Sequence, residues 1–306
     1  MHSSKIAVLL WLYHVDQWEE FISLLYPIKN NIQLYIGLYN NQSLNIIKDY
    51  RLKEISYSIE YFDNCGADIL PFLRQINGIQ EDYFIKLHSK KSNIGFNNQI
   101  NWKTLLIHDL IGTKELFFQN YNKIQEKSIG MISNRQCLFK NMEFTNTKHI
   151  IYLCELLDID YEKLKEKKFV GGNMFFSKTR IFKKYFQNRN DIYNLLKLEQ
   201  GKISDYRSGR FCHALERIFG YIIEYENLNF YYPEHNNIKI YNQENNKFFN
   251  MIVTYNNECY IDEDPNIYGK IIEVNSNYYK INWLHKNTDQ IYTYKINNNI
   301  PILYRI

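Results

Sequence analysis

Short apolar runs and amphipathic stretches take turns along the first 235 residues. Residues 5–13 (KIAVLLWLY) form a continuous apolar run, the pattern of a strand buried on both faces. Comparable runs at 32–39, 56–62, 82–87 and 129–133 predict four further strands. Between and after them, residues 16–25, 44–50, 69–76, 102–121, 148–157 and 208–219 place apolar side chains at three-to-four spacing and predict helices. Residues 169–176 read as a strand containing a Gly-Gly pair, and 221–232 as a return to extended chain. Strands alternating with helices predict an α/β fold: a mixed, mostly parallel sheet flanked by helices.

The texture changes near residue 236. Asn-rich turns separate short alternating runs at 248–254, 270–274, 278–283 and 291–296, with no helical periodicity. The pattern predicts a domain over 1–235 and a small β-rich module over 236–306.

Composition narrows the function classes. The formal charge of +4 on 306 residues is modest, and Lys and Arg are scattered rather than gathered into an arm, which argues against nucleic acid as a partner. The 27 Tyr go with heavy use of Asn, Ile and Lys, a compositional bias more than an aromatic surface. Five cysteines, odd in number and without a CxxC pair, suit reduced thiols in a cytoplasmic protein better than a disulfide or zinc framework. No run approaches the ~20 apolar residues of a membrane span, and no signal peptide is visible.

Four segments carry candidate chemistry. The first, Asp63 to Phe72, leaves a strand and opens a helix, the place where open α/β sheets bind ligands. There Gly66 permits close backbone approach, and Asp68 either caps the helix or faces a sugar or ribose hydroxyl. The second is Lys86, His88, Ser89, Lys90, Lys91 and Ser92 at the end of the next strand. Ammonium groups with no acidic partner among them suit a diphosphate; a solvated lysine run is the plain alternative. The third holds Gly171, Gly172 and Asn173, where a glycine pair in an apolar strand signals a backbone passing close to a ligand or a neighbouring helix. In the fourth, His213 and Glu216 share a helix face beside Arg217, either a carboxylate poised as a general base or a salt-bridged helix surface. The stock nucleotide, metalloprotease and hydrolase motifs are absent. Two Asp-x-Asp triplets, at Asp158–Asp160 and Asp262–Asp264, follow no apolar strand and read as solvated loops.

Taken in order, these segments resemble the rhamnan synthesis F family of polysaccharide-building proteins. The resemblance rests on Asn64, Gly66, Asp68, Pro71 and Phe72, then Lys86 to Ser92 followed by Trp102, then Gly172 to Phe176, then His213 to Arg217. It covers roughly residues 5–232. Cys65 stands where the family often has Arg or Lys, and Phe176 where it has Trp. The resemblance implies a GT-A-like (Rossmann-like) glycosyltransferase that moves rhamnose or a related deoxysugar. The donor would be a nucleotide-diphosphate sugar of the dTDP-rhamnose or UDP-sugar class, and the acceptor a glycan. On that reading Asn64, Gly66, Lys86, His88, Ser89, Lys90 and Lys91 hold the donor, and Gly171, Gly172, Asn173 and Arg217 face the acceptor. Glu216 is the first candidate base, with Asp68, Asp205 and the neighbouring His213 also in view. Metal use stays open: the lysines neutralise the diphosphate alone, or His88 and a remote carboxylate hold Mg²⁺ or Mn²⁺ on its oxygens. The rival reading is a non-catalytic carbohydrate-binding protein on the same fold.

Overall fold

The computed structural model describes residues 5–39, 44–91, 102–140, 146–164, 166–199 and 210–233, together with the backbone of seven strands between 236 and 304. Ser92, Asp205, Ser208 and Asp262 lie outside the described residues. The chain divides into two compact units, one ending at Pro233 and the other holding the seven later strands.

The first unit begins β1 (Ile6–Leu12), α1 (Trp18–Leu25), β2 (Ile32–Tyr39), α2 (Leu44–Ile47), α3 (Tyr50–Lys53), β3 (Ser56–Phe62), α4 (Ile69–Gly78) and β4 (Tyr83–His88). It continues α5 (Trp102–Ile111), α6 (Lys114–Ile124), β5 (Ile129–Ile132), β6 (Leu138–Lys140), α7 (Thr147–Leu157), β7 (Lys168–Val170) and β8 (Phe175–Lys178). It ends α8 (Thr179–Phe186), α9 (Asn190–Lys197), α10 (Phe211–Tyr225) and β9 (Asn229–Tyr231). Seven strands form one sheet in the order β3-β2-β1-β4-β8-β5-β9. The pairs β1–β2, β2–β3, β1–β4 and β5–β9 are parallel, and β8 alone runs against its neighbours β4 and β5. The α/β class with a mostly parallel mixed sheet is therefore the observed one.

β1 is buried along its whole length, as a strand with a neighbour on each side and helices over both faces requires. Helices α4, α8 and α10 meet the sheet through a nest of rings. Phe84 on β4 lies 5.4 Å from Phe72, 5.1 Å from Phe182 and 5.9 Å from Phe175, and Phe72 lies 5.3 Å from Phe219. Each fully buried Phe contributes about 1.5–3 kcal/mol by leaving water, so this nest fixes where α4 and α10 sit on the sheet.

Among the places that differ from the sequence expectation, three have a clear local reason. The expected helix over 102–121 is two helices, because Thr113 leaves the helical conformation and its hydroxyl caps α6 by accepting from the Leu116 amide at 3.1 Å. The expected strand over 169–176 is β7 and β8, parted by a turn in which Gly172 (φ +82°) and Asn173 (φ +54°) take left-handed backbone. Residues 221–225, expected to be extended, continue α10, since Tyr221, Ile222 and Ile223 are all buried against the core. Two further helices, α8 and α9, occupy a stretch to which the sequence reading assigned no element.

In the second unit β10 (Asn236–Asn242), β11 (Lys247–Val253), β12 (Glu258–Ile261), β13 (Asp264–Val274), β14 (Tyr278–His285), β15 (Thr288–Asn297) and β16 (Ile300–Tyr304) form a closed barrel. Neighbours pair antiparallel, and a parallel contact of β10 with β16 at Tyr241 and Ile302 closes the ring.

Gly220 tests the packing of α10. A Cβ there would lie 2.3 Å from the Phe169 Cα and 2.6 Å from the Lys168 carbonyl oxygen, both backbone atoms of β7. Gly to Ala inside a helix ordinarily gains up to ~1 kcal/mol. Gly220→Ala is instead expected to cost about 1–3 kcal/mol through overpacking, read as a lower urea midpoint at unchanged m-value. A midpoint equal to or above that of the wild type would show that α10 and β7 do not touch as described.

Candidate functional site

In the sheet order the chain steps from β1 outward to β2 and β3, then returns to place β4 on the other side of β1. The crevice beyond the carboxyl ends of β1 and β4 is thus a topological switch point, where open α/β sheets bind ligands. Four hydrogen bonds tie the chain leaving β1 to the chain leaving β4 there. The Ser89 amide donates to the Trp11 carbonyl at 2.9 Å, extending the ladder, and the His14 amide donates to Ser89 Oγ at 2.8 Å. Gln17 then clamps Lys90 from both sides: its amide nitrogen donates to the Lys90 carbonyl and its oxygen accepts from the Lys90 amide, each at 2.9 Å.

The pleat of β4 sorts its side chains. Phe84, Lys86 and His88 share one face, two residues apart, and step from the ring nest through a buried ammonium to the cleft. Lys86 is 1% exposed. Its Nζ donates to Asp68 Oδ2 and, at 2.9 Å, to the Asn173 carbonyl, and it lies 5.3 Å from the Phe72 ring centre. Asp68 stands at the start of α4, yet its side chain makes no cap hydrogen bond with that helix. It turns inward instead, accepting also from Asn173 Nδ2 at 2.7 Å. The preceding turn makes this possible, since Gly66 (φ +61°) and Ala67 (φ +51°) both adopt left-handed backbone.

His88 completes the group. Its Nε2 pairs at 3.0 Å with the carbonyl oxygen of Gly172, which can only accept, so Nε2 carries the hydrogen. Its Nδ1 lies 3.4 Å from Asp68 Oδ2. Burial pushes the imidazole down to about 3 against the opposing pull of Asp68, and the Lys86 and Lys90 cations push the same way as burial. His88 is therefore neutral at physiological pH. Burial alone would raise the Asp68 carboxyl, but the Lys86 ammonium, helped by the hydrogen bonds from Lys86 and Asn173, outweighs it and holds the group below the usual carboxylate range. Burial lowers the Lys86 ammonium from its usual range, opposed by Asp68 and Glu216.

On the opposite wall α10 presents His213 and Glu216. Glu216 Oε1 accepts from the Gly172 amide at 2.8 Å, and Oε2 lies 3.9 Å from Arg217 Nη1. Burial pushes the His213 imidazole below its ordinary value, with Glu216 opposing. The start of α10 is held by Glu199, whose two carboxylate oxygens accept from the Phe211 amide at 2.6 Å and the Cys212 amide at 3.0 Å. The Glu199 carbonyl also accepts from the Gly66 amide at 2.9 Å, which ties the turn carrying Asp68 to the helix carrying Glu216.

A cleft of about 140 Å³ lies between these parts, lined among others by Asp68, His88, Lys90, Gly172, His213 and Glu216. Asn173 also lines it, so residues of all four sequence segments converge on one cleft. The remaining sequence candidates lie around it. Lys86 sits beneath Asp68, while Lys91 is more than half exposed and pairs with Asp16 at 2.8 Å. Asn64 donates to the Tyr13 hydroxyl at 3.3 Å, and the Gly171 amide donates to the Cys137 carbonyl at 2.7 Å. Arg217 donates to the His213 carbonyl at 2.6 Å and stacks 4.9 Å over the Phe169 ring. Among the described residues no three His, Cys, Asp or Glu side chains converge to hold a metal ion, and no helix is long and apolar enough to cross a membrane. Gln17 and Glu199 hold the cleft's backbone in place, and the sequence reading did not single them out. Both act on backbone amides far away in the chain, and no spacing rule marks such a contact.

A family model described as rhamnan synthesis protein F matches residues 1–228. Two proteins described as uncharacterized protein WxcX, from two strains of Xanthomonas campestris pv. campestris, are each 22% identical over 223 residues. The matches cover 71% of this chain and 31% of each relative, so the chain spans less than a third of the curated relatives it matches. No solved structure matches the chain. With the model covering 228 of 306 residues, every one of the four cleft segments included, the chain belongs to the rhamnan synthesis protein F family.

Proposed function

We propose that the chain is a GT-A-type glycosyltransferase. It would move rhamnose or a related deoxysugar from a nucleotide-diphosphate donor to a glycan acceptor. The reading rests on one observation: residues of four segments far apart in sequence meet in a single cleft at the switch point of the sheet. The family membership is in keeping with it.

In this mechanism Glu216 is the general base. Its Oε1 is occupied by the Gly172 amide, which orients the carboxylate and leaves Oε2 for the acceptor hydroxyl. Lys90, the lysine that lines the cleft, meets the diphosphate and stabilises the charge growing on the leaving group. Lys86 has Asp68 as its partner and acts through it, keeping the carboxylate ionised and aimed at sugar hydroxyls. His88 stays neutral and anchors the Gly172 turn against which the acceptor lies.

Assays of nucleotide-sugar turnover, with and without glycan acceptors, test the assignment. Glu216→Gln retains an acceptor for the Gly172 amide and is expected to lower turnover by about 10²–10⁴ with donor affinity nearly unchanged. Lys90→Ala is expected to weaken donor binding by about tenfold or more, the cost of one charge-assisted contact. Wild-type chain that binds nucleotide sugars but transfers to no acceptor would instead favour a carbohydrate-binding protein.

The neutral His88 also sets a stability trend. Between about pH 6.5 and about pH 3 the unfolded chain binds a proton at this position that the folded chain does not, so acidification destabilises. The expected slope from this group is up to about 1.4 kcal/mol per pH unit. His88→Gln, which can still donate to the Gly172 carbonyl, should flatten the urea-midpoint profile across that window. An unchanged profile would mean that His88 is already protonated in the folded state.

A further inference from the structure

Two lysines of the sheet are almost fully buried, and their surroundings differ. Lys86 has the Asp68 carboxylate. Lys178, at the end of β8 and 5% exposed, has no carboxylate partner among the described residues; its Nζ donates only to the Glu126 carbonyl, at 2.7 Å. An ammonium has three donors and a full charge, and buried charges are normally paired. The charged group that perturbs Lys178 is another cation, Arg180, which together with burial lowers the ammonium from its usual range.

Lys178 lines a second pocket, of about 260 Å³, with Lys127, Arg180, Gln125, Tyr83 and Asp82. Tyr83 opens β4 and pairs across the sheet with Lys178. Because β8 runs antiparallel, its last residue lies at the amino ends of the parallel strands, so this pocket is at the opposite end of the sheet from the cleft. Lys127 and Arg180 are exposed, and neither makes an ion pair among the described residues. Asp82 is the one carboxylate in the lining, against three cations, and Glu226 lies within electrostatic reach of Arg180 outside it. Helix α8 begins beside the pocket with no side-chain cap, which adds the positive end of its dipole.

We infer that this pocket binds a compact phosphate-class oxyanion, free or carried on a small sugar, with Lys178 as its buried anchor. Arg180 supplies the forked donor and Lys127 a mobile second charge. Tyr83 and Gln125 offer hydroxyl and amide groups to whatever carries the phosphate. The site is independent of the cleft chemistry, so the Glu216→Gln chain should bind the same anion equally well.

Calorimetric titration of the full chain with inorganic phosphate, at ionic strength held constant with chloride, tests the inference. One saturable site is expected. Arg180→Met should weaken it by about tenfold or more, and Lys178→Met should weaken it further while raising the melting temperature without phosphate, since it removes an unpaired buried charge. Asp82→Asn should tighten binding by removing a repelling carboxylate. Should Lys178→Met not fold, the two exposed variants decide alone. Glucose 1-phosphate binding more tightly than phosphate identifies a phosphosugar ligand, and equal binding identifies free phosphate. No saturable heat with either probe, or the same affinity in wild type, Arg180→Met and Asp82→Asn (an adventitious ion only), would overturn the assignment.

Discussion

One buried ion pair organises the cleft end of the sheet in the first unit. Lys86 and Asp68 are brought out of water together, and desolvating two charges costs several kcal/mol for each ion unless hydrogen bonds satisfy what the pairing leaves over. The remaining valences are filled from a third segment, by the Asn173 carbonyl on the lysine and the Asn173 amide on the carboxylate. Left-handed backbone at Asn173 lets one residue offer both groups. The pair therefore fixes, in one contact set, the turn after β3, the end of β4 and the turn between β7 and β8. Removing either charge would strand the other in a site built for two.

The second wall follows from this first one. With Gly172 placed beside Asn173, its amide meets Glu216 and its carbonyl meets His88, so the two walls are joined through the backbone of a single residue. The left-handed backbone of Gly172 (φ +82°) favours a residue without a Cβ, and an added Cβ would also press on the tip of Leu106 at 2.6 Å. Glu199 closes the circuit from behind by joining the Gly66 turn to the first amides of α10. The geometry of the cleft is thus a property of backbone groups as much as of side chains.

Much of this was legible from residue pattern. The apolar run at β1, the strand-to-helix turn at Gly66 and the polar cluster leaving β4 pointed to the end of the sheet where the cleft lies, because strand period and Gly placement are local properties. Of the glycine pair, Gly172 does pass close to a neighbouring helix, at Leu106 of α5, although the turn it makes splits the strand that the apolar residues suggested. The individual lysines were not legible. Lys86, Lys90 and Lys91 look alike in sequence, yet one is buried under a carboxylate, one lines the cleft and one is paired at the surface. Strand pleat and long-range partners decide among them, and neither is visible in a local window. The end of α10 was hidden for a related reason, since Tyr221, Ile222 and Ile223 are buried whether that stretch is helix or strand.

The alternation along β4 also limits how this strand can vary. Phe84, Lys86 and His88 serve three different environments on one face, while Ile85 and Leu87 fill the core on the other. Inserting or deleting one residue between Tyr83 and His88 would exchange the two sets, sending Lys86 into hydrocarbon and an aliphatic side chain toward Asp68. Substitution can adjust this strand one environment at a time; a change of length cannot. A tolerated change of length therefore belongs in the segments that flank the strand.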